Sequence, residues 1–140
     1  MKKITIFSDG SSLGNPGAGG YCAILRYKEH EKIVKGSQKE ATNNQMELKA
    51  VIEALKSLKE PCEIELISDS NYVVNGINKW LSNWIKKDFK GVKNPELWKE
   101  FVLLAKNHKI KAVWVKAHNG HIENEKCDRI AKEEAEKVKG

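Results

Sequence analysis

Residues 39–58 read KEATNNQMELKAVIEALKSL, and within them the apolar pattern changes its period. From Asn43 onward Leu48, Val51, Ile52, Leu55 and Leu58 fall on one stripe, at the three- and four-residue spacing of a helix face. Thr42 and Asn43 are natural N-caps, since their side-chain oxygens can accept from the open backbone N–H groups of a first turn, and Pro61 stands just beyond the far end. Upstream the chain reads as strands. KITIFSDGSS (3–12) alternates Ile4 and Ile6 against Thr5 and Phe7 and runs into small polar residues, which predicts a strand reaching a loop at Asp9. The glycine and proline cluster LGNPGAGG (13–20) leads into two more strand-like runs, 21–28 and 32–37, joined at the polar residues 29–31.

Downstream, EIELIS (63–68) is a short strand candidate that stops at Asp69, followed by short helices over 71–76 and 79–87. A longer helix is expected over 96–107, opened by the Asn94-Pro95 pair with proline near its first turn. Residues 111–117 (KAVWVKA) predict a fifth strand, HNGHIEN (118–124) a polar loop, and residues 125 to about 138 a charged terminal helix. Three strands, a helix, a strand, several helices, a strand and a helix imply an α/β fold, a mixed sheet covered by helices.

The chain has 140 residues, 40% hydrophobic and 31% charged, a balance that predicts one globular domain over 1–140 rather than a disordered tail. No apolar run approaches the roughly 18 residues of a membrane span, and Lys2 and Lys3 lead directly into a strand without a cleavage-site pattern, so no membrane association and a cytoplasmic location are expected. Cys22, Cys62 and Cys127 are odd in number and widely spaced, which predicts reduced, buried thiols. The net charge of +6 favours a polyanionic partner without naming one.

Asp9 and Asp69 stand at the ends of strand-like runs, Glu47 in the first turns of a helix and Asp128 in the first turn of the last one. Side chains at such boundaries have a backbone fixed by the fold and still reach a cleft. Glu47 lies beside the apolar stripe, so it faces partly inward, where a carboxylate is costly unless paired or bound to a cation. Four converging carboxylates would raise one another's pKa values and be relieved by hard divalent cations such as Mg²⁺ or Mn²⁺. Two such ions can stabilise both the attacking and the leaving oxygen of a phosphoryl displacement, which points to phosphodiester hydrolysis.

FSDGSSLGNPGAGG (7–20), TNNQMELKAVIEAL (42–55), ISDSNYVVNGI (67–77) and WVKAHNGHIENEKCDRIA (114–131) together resemble type 1 ribonuclease H, in the family's order and over nearly the whole chain. The resemblance implies a ribonuclease H-like fold with a five-stranded mixed sheet flanked by helices. It implies a magnesium-dependent endonuclease that cuts the RNA strand of RNA–DNA hybrids and leaves 5′-phosphate and 3′-hydroxyl ends. It carries a catalytic quartet onto Asp9, Glu47, Asp69 and Asp128, holding two Mg²⁺ ions with Mn²⁺ as a substitute, and a histidine that moves a proton or helps product leave onto His118. It also implies hybrid recognition by Ser12, Asn15, Asn43, Asn44 and Asn71, small polar residues able to bond a ribose 2′-hydroxyl or a base edge. Asn15, Thr42 and Asn43 match a pocket that grips a phosphate of the DNA strand.

INKWLSNWIKKDFKGVKN (77–94) resembles the family's basic protrusion, with Lys79, Lys86, Lys87, Lys90 and Lys93 among Trp80, Trp84 and Phe89. Its stretch between Phe89 and Pro95 is shorter than in well-known bacterial members, and Asp88 adds a negative charge. The tryptophans are expected to pack, and lysines such as Lys86 and Lys87 to meet phosphates. A zinc site from His118, His121, Cys127 and Cys62 fits no usual ligand spacing, and GNPGAGG lacks the GK[ST] ending of a nucleotide loop. A hybrid-binding module without turnover would be expected to lack one of the four acids, and all four are present. A transposase, integrase or resolvase would need DNA-binding segments for which 140 residues leave little room. A monomer is expected, since no long apolar stripe is left for a partner.

Overall fold

In the computed structural model, which describes residues 1–117 and 121–140, the alternation of the first segment becomes β1 (Lys2–Leu13), with Ile4 and Ile6 buried on one sheet face. An antiparallel meander continues through β2 (Gly17–Tyr27) and β3 (His30–Ala41). Then come α1 (Asn43–Lys56), β4 (Cys62–Ser68), and α2 (Asn71–Asn75), which passes through one π-helical turn (Gly76–Trp80) into α3 (Leu81–Lys86). Next are α4 (Pro95–Ala105), β5 (Lys109–Trp114) and α5 (Ile122–Lys137). The strand order is β3-β2-β1-β4-β5, with β1 parallel to β4 and β4 parallel to β5, so the expected five-stranded mixed sheet is observed.

α1 is capped as its residues dictate. Thr42 Oγ1 accepts from Gln45 N at 3.2 Å, and Gln45 Oε1 accepts from Thr42 N at 2.9 Å. The buried stripe of α1 and the rings of Trp98 and Phe101 on α4 form the larger core with Ile4, Ile6, Ile64 and Leu66. On the opposite face α5 lays Cys127 and Ala131 against Cys22 and Ile24. Gly20 permits this approach: a Cβ there would stand 2.0 Å from the Ala131 carbonyl oxygen. All three cysteines are free and buried. No helix among the described residues is long and apolar enough to cross a membrane.

Two boundaries differ from expectation in ways that matter for the site. β1 does not end at Asp9; it pairs with β2 from Thr5↔Arg26 to Leu13↔Ala18, while its pairing with β4 stops at Ser8↔Ser68. Asp9 is therefore the first residue of β1 whose β4 side is open. α5 begins at Ile122, three residues before the expected start, which puts Asp128 in the second turn instead of the first.

Candidate active site

Where β4 leaves β1, three carboxylates meet. One oxygen from each of Asp9, Glu47 and Asp69 lies within 4.8 Å of the other two. Asp9 comes from the centre of the sheet and is only 5% exposed. Asp69 follows the last residue of β4, and Glu47 reaches in from α1. The Gly10 backbone N–H joins two of them, donating to Asp9 Oδ1 at 2.9 Å and to Glu47 Oε1 at 2.6 Å.

Local sequence explains why these positions are held. Ser68 Oγ accepts from Ser70 N at 3.0 Å and Ser70 Oγ from Val73 N at 3.2 Å, so two buried serines fold the chain around Asp69 and cap α2. The Trp114 indole, at the end of β5, donates to the Asp69 carbonyl at 3.0 Å. Gly10 is required by contact: a Cβ there would stand 2.2 Å from Met46 C and 2.3 Å from Glu47 N. Glycine lets β1 and the first turns of α1 touch, and that contact places Glu47.

Asp128 is half-buried on α5 and paired with Lys132 one turn later, Oδ2 to Nζ 3.1 Å. It stands outside the trio, yet its charge reaches Asp9. Asp9 is pushed up to about 7, chiefly by burial and also by the charges of Asp69 and Asp128, against the lowering effect of its hydrogen bonds with Glu47 and Gly10. Glu47 is also raised well above the usual carboxylate range, first by burial of its carboxyl and then by Asp9, to which it is hydrogen bonded. Without a cation the pair therefore holds a proton near neutrality.

This has a measurable sign. Asp9's folded pKa lies above its ordinary 3.8, so between 3.8 and about 7 the folded chain binds the extra proton. Stability from this group is then lost as the pH rises through that window. In EDTA, the melting temperature of an Asp9→Asn variant should gain on that of the parent chain with rising pH. A difference that stays constant with pH contradicts the burial of a charged Asp9.

The expected binding residues form a second group beside the trio. Ser12 N and Oγ both donate to Asn43 Oδ1, at 2.9 and 3.0 Å, and Asn43 N donates to Asn15 Oδ1 at 3.0 Å. Asn15, Thr42, Asn43 and Asn44 line one side of a groove of about 580 Å³ whose other side is residues 92–95. Asn71 is exposed at the start of α2, and Lys86 and Lys87 are exposed where α3 ends. Trp84 packs edge-on to Trp98 at 5.1 Å, but Trp80 stays 42% exposed, so only one tryptophan meets the packing expectation fully. His118 lies outside the described residues.

Gly10, Trp114 and Lys132 carry no local mark of a role at the site, Asn94 shows in the sequence only as the residue before the proline that opens α4, and Lys93 of the basic stretch also lines the groove. A glycine inside a strand is the one signal that could have marked Gly10.

Residues 1–136 match the family model described as RNase H. The chain is 62% identical over 138 residues to a ribonuclease H of Campylobacter jejuni, covering 99% of this chain and 94% of that protein. Its fold is similar to the crystal structure of LC9-RNase H1, a type 1 RNase H with the type 2 active-site motif, at TM-score 0.91 and 28% identity over 99% of this chain and 74% of the other. A further likeness, at TM-score 0.68 and 23% identity over 96% of this chain and 98% of the other, is to LC11-RNase H1 in complex with RNA/DNA hybrid, and it bears on the fold alone.

Proposed function

The chain belongs to the RNase H family and is an enzyme of that family, and from this premise we propose that it hydrolyses the RNA strand of RNA–DNA hybrids endonucleolytically, leaving 5′-phosphate and 3′-hydroxyl ends. The observation that carries the reading is the meeting of Asp9, Glu47 and Asp69 at the open end of β1, beside a groove lined by amides.

The donor set fits a hard divalent cation: three carboxylates within reach of one another, two with raised pKa values, and no nitrogen or sulfur among them. Asp9, Glu47, Asp69 and Asp128 would hold two Mg²⁺ ions, with Mn²⁺ as a substitute. Bound there, the cations supply positive charge to an attacking water and to the departing 3′ oxygen. The chain's own groups do the rest. Gly10 N–H fixes Asp9 and Glu47 as acceptors, and the Asp9–Glu47 proton must leave for both to act as ligands. Asp128 must exchange Lys132 for the site. His118 takes or returns a proton, as an imidazole near neutrality can.

Ser12, Asn44 and Asn71 would read the minor groove, where an amide can both donate to and accept from a 2′-hydroxyl. Asn15, Thr42 and Asn43 would hold a phosphate of the DNA strand, and Lys86 and Lys87 would add non-specific attraction further along it. The chain would act as a single-domain, cytoplasmic monomer.

The test is cleavage of an end-labelled RNA strand annealed to DNA, with duplex RNA, duplex DNA and single strands as controls. Cutting confined to the hybrid, and lost in EDTA, is expected. Cutting that persists in EDTA, or that spreads to duplex RNA, overturns the reading.

A further inference from the structure

The proposed reaction gives Tyr72 no part, yet its hydroxyl takes part in three hydrogen bonds beside the groove. We propose that Tyr72 is a positioning residue that holds the 92–95 wall of the groove against the start of α1 and so sets how tightly a hybrid is gripped, an inference that rests on the groove being where the hybrid backbone binds.

A phenol oxygen can accept two hydrogen bonds and donate one. Here all three are used within the protein. Trp98 Nε1–H donates to it at 2.8 Å, Asn94 Nδ2 donates at 3.0 Å, and it donates to the Lys93 carbonyl at 3.5 Å. A purely structural task, satisfying the N–H of the fully buried Trp98, needs only the first. The other two go to the segment that lines the groove.

That segment needs holding. Asn94 has φ +54°, in the left-handed region, and precedes a proline, which disfavours helical backbone at the residue before it. Its side chain is fixed at both ends: Tyr72 accepts from Nδ2, and Oδ1 accepts from Gln45 Nε2 at 3.4 Å. Gln45 is the capping partner of Thr42, on the opposite groove wall. A continuous chain of hydrogen bonds, Thr42 to Gln45 to Asn94 to Tyr72 to Trp98, thus links the two segments that line the groove. Tyr72 stands on α2, three residues after Asp69, so the same side chain ties the groove to the helix that follows a carboxylate of the site. Without the hydroxyl, Asn94 loses one anchor and residues 92–95 are free to relax toward extended backbone, taking Lys93 away from the groove.

Tyr72→Phe keeps the ring, which meets Trp98 edge-on at 5.7 Å, and removes only the oxygen. Asn94→Gly keeps the left-handed backbone accessible and removes the side chain that Tyr72 holds. Binding of a labelled hybrid in EDTA, read by fluorescence anisotropy, separates grip from turnover. Each variant should weaken binding about three- to tenfold, the size expected for one or two lost hydrogen bonds, and the double variant should be no weaker than the worse single one. In Mg²⁺ the KM should rise by a similar factor with kcat within about twofold.

A lower melting temperature with unchanged Kd and KM would assign Tyr72 to the core alone and overturn the proposal. So would a fall in kcat at constant KM, or effects of the two substitutions that simply add. If Tyr72→Phe fails to fold, Asn94→Gly decides, since it alters an N-cap side chain and leaves the Tyr72–Trp98 bond in place. A parent chain that binds no hybrid removes the proposed function as well, whereas a parent that binds and variants that bind equally remove only this inference.

Discussion

Asp9→Asn should lower hybrid cleavage on the order of a thousandfold or more while making the metal-free chain more stable above pH 7. The two effects have one cause. Asparagine has nearly the shape of aspartate and its amide oxygen can still accept from Gly10 N–H, so the contact at 2.9 Å survives. What disappears is a charge that burial, Asp69 and Asp128 all oppose. Removing it relieves repulsion in the folded state, and the melting temperature in EDTA rises. On the proposed reading it also removes a central anionic ligand, and the charge a bound cation would place on a reacting phosphoryl group is worth several kcal/mol, each 1.36 kcal/mol being tenfold in rate. Hybrid binding in EDTA should be retained. Single-turnover cleavage beside thermal unfolding is the check: near-normal turnover, or a loss of stability, contradicts the assignment of Asp9 as a buried ligand.

Gly10→Ala should damage both stability and turnover, in contrast to Asp9→Asn. The new methyl would stand 2.2 Å from Met46 C, 2.3 Å from Glu47 N and 2.6 Å from Met46 O. These are backbone atoms of a helix whose inner face is fully packed, so no side-chain rotation can make room. Either α1 retreats or β1 bends, and either movement pulls Glu47 from the Gly10 N–H it accepts from. A cost of about 3 kcal/mol in stability is expected, at the upper end for overpacking a core. At a temperature where the variant is still folded, cleavage should fall about a hundredfold, the penalty for displacing a catalytic group by about 1 Å. Denaturant unfolding and cleavage of one preparation test both, and wild-type stability would show that β1 and α1 do not meet as described.

How much could be read in advance depended on which forces leave a local trace. α1 was legible because its cap, its stripe and its stop are all written within residues 42–61. β1 was misjudged at Asp9 because Ser8, Gly10, Ser11 and Ser12 are small and polar, as turn residues are. They are small here for another reason: this half of β1 is paired on one side only, faces a cleft and touches α1. That reason belongs to β4 ending at Ser68, far along the chain. The start of α5 was misplaced because HNGHIEN looks polar throughout, while Cys127 and Ala131 set the helix's buried face from β2. Asp9, Glu47 and Asp69 do meet, although Asp9 lies within β1 and not at its end. Lys132 beside Asp128, the indole of Trp114 on the Asp69 carbonyl, and Asn94 on the groove have no local signature, since each is defined by a residue distant in sequence.

The central place of β1 also bears on synthesis. β1 pairs on one side with a hairpin that is complete by residue 41, but its other neighbour is β4, residues 62–68, and its outer face waits for α5 at residues 122–137. Contacts of such long separation form late and cannot be replaced by local ones. A chain halted on the ribosome before α5 would carry Asp9, Glu47 and Asp69 on a sheet still bare on one side, with Asp128 not yet made. The docking of α5, residues 122–137, thus covers the sheet and brings the charge of Asp128 to Asp9 at the same moment, and on the proposed reading a chain halted earlier would lack one of the four carboxylates.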